Sequence, residues 1–483
     1  MQLSDPALLC HQSFIDGQWC DAADGQQFTV FNPATGAALI DVADCAQMET
    51  ERAIRAAQSA LDGWQALTAK ARSLYLRQWF ELIMANQQDL ATLMTLEQGK
   101  SLAEAKGEVA YGASFVEWFA EEGKRQYGEV IPATNAKQRL FTIRQPIGVV
   151  AAITPWNFPI AMITRKAAPA LAAGCTMVIK PSEQTPLCAL ALAQLANRAG
   201  IPAGVLNVVV GTDAKAIGGA LTSSSIVRKL SFTGSTPVGK LLMRQCADTV
   251  KRTSMELGGN APFIVFDDAD LDKAVEGVLA SKYRNSGQTC VCANRILVQS
   301  DVYDEFCEKL VQAVQSFKLG NGLEPGVTMG PLINQAAVNK VEQLVAQAIS
   351  AGAQVRLGGQ TQGNSLFYQP TVLTEVNADM DIFHHEIFGP VAPLIRFDSE
   401  QQAVELANKT PFGLAAYFYA RDMSRIWRVS EALEYGMVGI NEGLISNEVA
   451  PFGGVKESGV GREGSRHGID EYSEIKYLCM GVG

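Results

Sequence analysis

From about Glu49 to Gly128, apolar residues recur at three- and four-residue spacing, most clearly in "LEQGKSLAEAKGEVAYGASFVEWFAEEGKRQYG". That period puts apolar side chains on one helix face and predicts amphipathic helices. The stretch Gln138–Thr154, with "LFTIRQPIGVVAAIT", is rich in β-branched residues and predicts strand. A regular alternation then begins. "GVVAAIT" (148–154), "CTMVIK" (175–180), "VLNVVV" (205–210), "KLSFTG" (229–234) and "APFIVF" (261–266) are short apolar runs, most of them separated by helical segments. Such runs predict βαβ units and a parallel sheet covered on both faces. A second α/β pattern follows from about Asp268 to Gly459, and the tail "EYSEIKYLCM" (471–480) alternates like an edge strand. The pieces before Gly148 and after Gly468 are expected to pair with each other or with another subunit.

Composition narrows the class. The chain has 483 residues, 47% hydrophobic and 19% charged, which reads as a soluble globular protein of roughly two or three domains. A net charge of −10 with no Lys/Arg run argues against nucleic acid as a partner. The N-terminal "MQLSDPALLCHQSF" lacks the pattern of a signal peptide, and no apolar stretch is long enough for a membrane span, so neither is expected. Ten scattered cysteines form no disulfide framework, which favours reduced thiols in the cytoplasm; only four histidines occur.

Two glycine motifs need care. "GVGREG" (459–464) matches G-x-G-x-x-G, but too little chain follows for a βαβ unit, so a loop is expected. "GSTPVGKL" (234–241) nearly matches a P-loop, yet Leu241 replaces the Mg²⁺-binding hydroxyl, which argues against ATP chemistry. Ser235 and Thr236 are good N-cap residues there, and a helix N-terminus at this point would present free N–H groups to a phosphate. A plain strand-to-helix connection fits the motif equally well.

The stretch "YRNSGQTCVCAN" (283–294) carries two cysteines, Cys290 and Cys292. Zinc would need a second ligand pair that the sequence lacks, so no metal is expected. A structural disulfide across one residue would be strained. Two packed, inert thiols remain one reading. The polar approach Asn285–Thr289 allows another, a partly exposed reactive thiol. No histidine suits it as a base, but Glu256 in "MELGGNAPF" (255–263) has apolar neighbours that would raise its pKa toward the range of a general base. Asn157 in "TPWNFP" (154–159) follows the first strand of the series, where ligands bind, and its amide could stabilise an oxyanion. A solvated glutamate and a turn asparagine are the plainer alternatives.

"TPWNFP", "KPSEQTP", "FTGSTPVG", "MELGGNAPF", "NSGQTCVC", "EIFGP" and "PFGGVKESGVGREG" occur in this order. Together they resemble the aldehyde dehydrogenase superfamily over essentially the whole chain. "YRNSGQTCVCAN", "AMITRK", "ISNEVAPFGG" and "GIDEYSEIKY" are most similar to its succinate-semialdehyde dehydrogenase branch. The resemblance implies an α/β fold with a Rossmann-type cofactor domain (1–127 and 147–257), an α/β catalytic domain (258–468) and a small β oligomerisation element (128–146 and 469–483). It implies Cys290 as nucleophile, Asn157 and the Cys290 N–H as oxyanion hole, and Glu256 as the base that activates water. Trp156, Lys180, Ser182, Glu183, Gly234, Ser235, Leu257, Glu386 and Phe388 would contact the nicotinamide cofactor. The implied chemistry is a Cys290 thiohemiacetal, hydride loss to the nicotinamide, and hydrolysis of the resulting thioester.

The branch also implies Arg165, Arg284 and Ser446 as holders of a substrate carboxylate, for which a guanidinium fork is suited. Succinate semialdehyde is the expected substrate; glutarate semialdehyde or a broader aldehyde range is the alternative. Glu183 favours NAD, since its charge would repel the 2′-phosphate of NADP, although Ser182 and Lys180 leave dual use open. Relatives with the same "CVC" can form a disulfide, so Cys292 is a possible redox partner of Cys290. The other expected partners are further copies of the chain, as a homodimer or homotetramer. A non-catalytic protein on this scaffold is the competing class, and it would lack the nucleophile or the base.

Overall fold

A computed structural model describes residues 3–363 and 365–482. The ends of the expected segments 1–127 and 469–483 therefore run into undescribed residues. The larger of two main sheets has eight strands. Its order is Gln18–Cys20, Ser13–Ile15, Leu206–Val208, Thr176–Lys180, Val149–Ile153, Val227–Thr233, Arg252–Glu256 and Gly459–Val460. The five strands from Leu206–Val208 to Arg252–Glu256 are parallel. The chain starts at the central strand Val149–Ile153, winds outward one way, then returns to add Val227–Thr233 on its other side. That reversal makes a topological switch point between these two strands, where α/β sheets bind ligands.

The seven-stranded sheet runs Gln354–Leu357, Thr371–Thr374, Val391–Phe397, Ala293–Gln299, Ala261–Val265, Ala415–Tyr419 and Met437–Ile440. Only the pairing of Gln354–Leu357 is antiparallel. The alternation that looks continuous in the sequence is thus divided: Arg252–Glu256 closes one parallel series and Ala261–Val265 opens the other. The link Leu257–Asn260 crosses between them, and Glu256 and Cys290 come from opposite sides of that divide. The strand Arg252–Glu256 has no apolar run to announce it. Its central position between two neighbours supplies the pairing that its side chains do not signal.

Ser473–Gly481 pairs antiparallel with Gln138–Pro146 along its whole length, and Val130–Ile131 adds a third strand. The first two residues of "GVGREG", Gly459–Val460, form an edge strand against Met255 and Glu256, and among the described residues the only helical turn after the motif is the short 3₁₀ segment Gly468–Tyr472, with no α-helix. It is not a dinucleotide fingerprint, and the expected loop holds only beyond Val460, because the sheet edge recruits Gly459–Val460 as a strand.

Helix Ala161–Ala173 passes through the core with every residue buried, Arg165 and Lys166 included. A helix apolar on all sides is a core element, so two cations within it need partners. Helix Gln87–Gln98 ends at Gly99, whose φ of 98° supplies the left-handed stop. Ser101 and Glu104 then form a capping box that starts Leu102–Glu122. No helix among the described residues is long and apolar enough to cross a membrane.

Candidate active site

The C-terminal strand ends of the eight-stranded sheet and the N-terminal strand ends of the seven-stranded sheet face a cavity of about 400 Å³ lined by Trp156, Asn157, Gly234, Ser235, Leu257, Cys290, Glu386 and Phe388. A second cavity of about 440 Å³ lies beyond the same loops; Phe158 and Asn285 line it, with Tyr111, Arg284 and Ser446. The structure therefore brings eight of the expected site residues to one cavity and two to its neighbour. Glu256, Arg165 and Cys292 are buried in the surrounding walls. Lys180, Ser182 and Glu183 stand apart, at and just after the end of strand Thr176–Lys180.

Cys290 follows a backbone turn of unusual geometry. Asn285, Ser286 and Gly287 have φ of 51°, 56° and 75°. Left-handed residues in series are strained unless surroundings hold them. Asn285 N–H donates to Glu104 Oε1 (2.7 Å), Ser286 Oγ donates to the Gly330 carbonyl (2.8 Å), and a Cβ on Gly287 would fall 2.1 Å from the Gly389 carbonyl oxygen. The Cys290 thiol is only partly exposed. Burial pushes its pKa up to about 12, and the charge of Arg165 pulls against that. At neutral pH the resting group is a thiol, so attack on a carbonyl requires a base.

Asn157 projects from the turn after the central strand. Its Nδ2 donates to the Gln288 carbonyl at 3.0 Å. An amide has two N–H donors. One is anchored to the Cys290 loop, which leaves the other for an oxygen in the cavity.

Glu256 ends its strand at 2% exposure, and Oε2 has no hydrogen-bond partner among the described residues. Burial, then the charge of Glu463, lift its pKa well above the carboxylate range, against the pull of Arg165, Lys166 and Arg462. Glu463 behaves oppositely. Burial alone would raise it, but Lys166 and Arg165 hold it below its usual value. Of two neighbouring acidic groups, one is thereby kept charged and the other is made ready to take a proton.

The cofactor side is shaped by backbone. Ser235 caps helix Thr236–Ala247 without a side-chain cap bond, and Gly234 beside it lines the cavity. The free N–H groups and the positive end of the helix dipole suit a pyrophosphate. Leu257 packs where a Cβ on Gly239 would clash at 2.3 Å. Glu386 accepts the Gly259 N–H at 3.0 Å, and burial pushes its pKa up to about 7. Phe388, at φ 55°, sets its ring edge-on to Trp156 with centroids 5.6 Å apart. Lys180 Nζ lies 3.5 Å from Glu183, whose carboxylate is 43% exposed and open to a ligand. Ser182 accepts the Gln184 N–H. These groups fit a dinucleotide laid across the switch point.

Arg165 is 1% exposed, with Nε 2.5 Å from Glu463 and the guanidinium 4.0 Å over the Phe452 ring. Nη1 is buried and unpartnered among the described residues. Arg284 stacks 4.8 Å from the Phe158 ring centroid. Burial raises the Tyr111 hydroxyl pKa, while Arg165, Arg284 and Ser446 all act to lower it, so the four groups are close together. The Cys292 thiol is turned to Lys282, 3.4 Å from Nζ and 3.3 Å from the carbonyl.

The profile of the aldehyde dehydrogenase family matches residues 19–478. The chain belongs to the aldehyde dehydrogenase family. It is 63% identical over 483 residues to a glutarate-semialdehyde dehydrogenase of Pseudomonas putida, with 100% of each chain covered. It is 62% identical over 485 residues to the succinate-semialdehyde dehydrogenase [NADP(+)] of Escherichia coli, again with 100% of each covered. A crystal structure of succinate-semialdehyde dehydrogenase from Burkholderia pseudomallei superposes with a TM-score of 0.99 at 61% identity, covering 100% of both chains. An aldehyde dehydrogenase of this kind uses a nicotinamide cofactor.

Several residues of this aldehyde dehydrogenase site lie outside the motifs that mark it in the sequence. Lys340 lines the first cavity, and Lys100 and Glu108 the second. Lys166 and Glu463 pair across 297 positions. Adjacent cations inside the apolar stretch "AMITRKAAPALAA" were a readable signal that a buried partner existed; its identity was not.

Proposed function

We propose that this aldehyde dehydrogenase oxidises succinate semialdehyde to succinate through Cys290, with NAD preferred. The observation that carries the substrate assignment is Arg165. It is a buried guanidinium paired with Glu463 through Nε, whose Nη1 has no hydrogen-bond partner among the described residues, set where its charge acts on both Cys290 and Tyr111, beside Arg284 and Ser446. An unpaired buried donor of fixed charge favours an anionic partner. A short acid aldehyde would place its carboxylate there and its carbonyl at the thiol.

Attack begins when Cys290 gives up its proton, which the raised pKa of Glu256 equips that carboxylate to accept, directly or through water. The Cys290 sulfur then bonds to the carbonyl carbon, and the free Asn157 N–H meets the oxygen as it becomes negative. The bound nicotinamide supplies the hydride acceptor. Glu256 passes the proton taken from Cys290 to solvent and, a carboxylate again, takes one from the water that attacks the Cys290 thioester; the acid is released and that proton returns to the departing Cys290 thiolate.

Glu183 supports the preference for NAD: its exposed carboxylate can accept from both ribose hydroxyls and repels a 2′-phosphate. Glutarate semialdehyde is the second reading, favoured by the name of the P. putida relative, and one methylene is worth only about 1–3 kcal/mol of discrimination. Assembly is proposed as a dimer or tetramer through the strand Ser473–Gly481, which has an unpaired edge and exposes Ile475 and Tyr477. Free thiols suit a cytoplasmic setting. The domain division stated from sequence stands with these proposals.

The deciding experiment is a matrix of initial rates with succinate semialdehyde, glutarate semialdehyde and uncharged hexanal, each with NAD and with NADP. Highest kcat/KM for succinate semialdehyde with NAD is expected. Preference for hexanal would overturn the carboxylate pocket, and preference for NADP would overturn the role of Glu183. Cys290→Ala should bind cofactor and oxidise nothing.

A further inference from the structure

The proposed chemistry needs Asn157 and Cys290 in one fixed relationship, and the segment between helices Gln87–Gln98 and Leu102–Glu122 supplies a clamp for it. Lys100 Nζ donates to the backbone carbonyl of Asn157 at 2.8 Å, pairs with the Glu108 carboxylate, and lies 4.1 Å from the Phe158 ring centroid. The other Glu108 oxygen accepts the N–H groups of Ile160 and Ala161 at 3.0 and 3.3 Å. From the opposite side, Asn285 Nδ2 donates to the same Asn157 carbonyl at 3.0 Å, and Gln98 Nε2 donates to Asn285 Oδ1 at 3.0 Å. Gln98 Oε1 closes the lattice by accepting the Lys100 N–H at 2.9 Å.

Lys100 is 2% exposed and Glu108 equally so. A buried ion pair is a weak device for stability alone, because desolvation offsets much of the attraction. Here its third partner is the peptide of the residue whose amide faces the reacting centre. The peptide plane sets where the Asn157 side chain starts, and the Gln288 carbonyl sets where its amide points.

We propose that Lys100 is a positioning residue for aldehyde oxidation: held by Glu108, its ammonium fixes the Asn157 peptide so that the Asn157 amide meets the oxyanion formed at Cys290. This rests on the roles proposed above for Asn157 and Cys290. Lys100 also lines the second cavity, but in this role it works through the Asn157 peptide, so it acts on the rate of the chemical step and leaves cofactor affinity alone. A displacement of about 1 Å at such a group is worth on the order of 10²-fold in rate.

The test compares Lys100→Met, Lys100→Arg, Asn157→Ala, Lys100→Met with Asn157→Ala, and Lys100→Met with Glu108→Gln; the last leaves no lone buried charge and so preserves the fold. Each is assayed with saturating succinate semialdehyde and NAD for its single-turnover rate of reduced-cofactor formation. KM, cofactor binding by tryptophan quenching and the Cys290 alkylation rate are measured alongside. Lys100→Met and its pairing with Glu108→Gln should slow the single turnover by roughly 10- to 100-fold, with KM, cofactor binding and alkylation within about twofold. Lys100→Arg should restore most of the rate. With Asn157→Ala present, Lys100→Met should cost nothing more, since both act at one point. A wild-type turnover in the folded Lys100→Met, Glu108→Gln protein overturns the proposal. So do losses that multiply with Asn157→Ala, or a loss confined to KM. A wild-type rate in Asn157→Ala alone overturns the proposal and the oxyanion reading together.

Discussion

Asn157 Nδ2 and the carbonyl of Gln288 lie 3.0 Å apart, so the turn after the central strand is tied to the loop that carries Cys290. The bond fixes which way the amide faces. Because its second N–H stays free, Asn157→Ala should lower kcat by on the order of 10²–10³-fold. The Cys290 alkylation rate should stay near that of the wild type, since the thiol's burial and its Arg165 neighbour are untouched. Stopped-flow absorbance of reduced cofactor and iodoacetamide labelling measure the two quantities.

Glu256 predicts the pH profile. Its carboxyl is lifted well above the ordinary range by burial and then by Glu463. A base works only when deprotonated, so activity is low while pH is below that raised pKa and climbs through it. The ascending limb of kcat should therefore lie well above the pH ~4–5 range in which an exposed glutamate titrates. Glu256→Gln should remove the limb together with at least ~10²-fold of kcat. A limb that persists unchanged in that variant would assign it to another group.

Part of this site was legible in the sequence because the groups on the eight-stranded sheet follow strand ends, and those strand ends are marked by turn residues. Asn157 after "VVAAIT" and Ser235 after "KLSFT" were readable from local context, whereas Glu386 in "EIFGP" was implied only by the family resemblance; all three line one cavity. The strand Arg252–Glu256 was not readable. "RTSME" has the composition of a loop, and its strand state comes from neighbours on both edges. The partners of Arg165 and Lys166 were equally hidden. Glu463 sits in a stretch read as a loop, which the structure makes partly strand, and only the fold carries that stretch to a core helix.

Arg284 should govern acid substrates selectively. It lines the second cavity, where the Phe158 ring holds its guanidinium from one face. Arg284→Ala should raise KM for succinate semialdehyde at least tenfold, which corresponds to ~1.4 kcal/mol for a lost charge-assisted bond. KM for hexanal should move by less than about twofold. Parallel changes for both aldehydes would make Arg284 structural. Arg165→Met is the harsher variant, because among the described residues it also leaves Glu463 ion-paired with Lys166 alone. It should lose measurable stability as well as affinity, by the few kcal/mol typical of a broken buried ion pair.

Cys292 gives the redox prediction. In this structure both thiols of "CVC" are free, and Sγ of Cys292 faces Lys282. A bond between Cys290 and Cys292 requires Cys292 to leave that lysine and the loop to bend, and a disulfide formed under such strain is easily reduced. Peroxide should therefore inactivate the enzyme, and dithiothreitol should restore most of its activity. In Cys292→Ala the thiol of Cys290 has no resolving partner, so oxidation proceeds past the sulfenic acid to states that dithiothreitol does not reverse. Recovery should then fall several-fold, and peptide mass mapping should find the two-hydrogen loss in the wild type alone. Equal recovery in both proteins would mean that Cys292 only packs against Lys282.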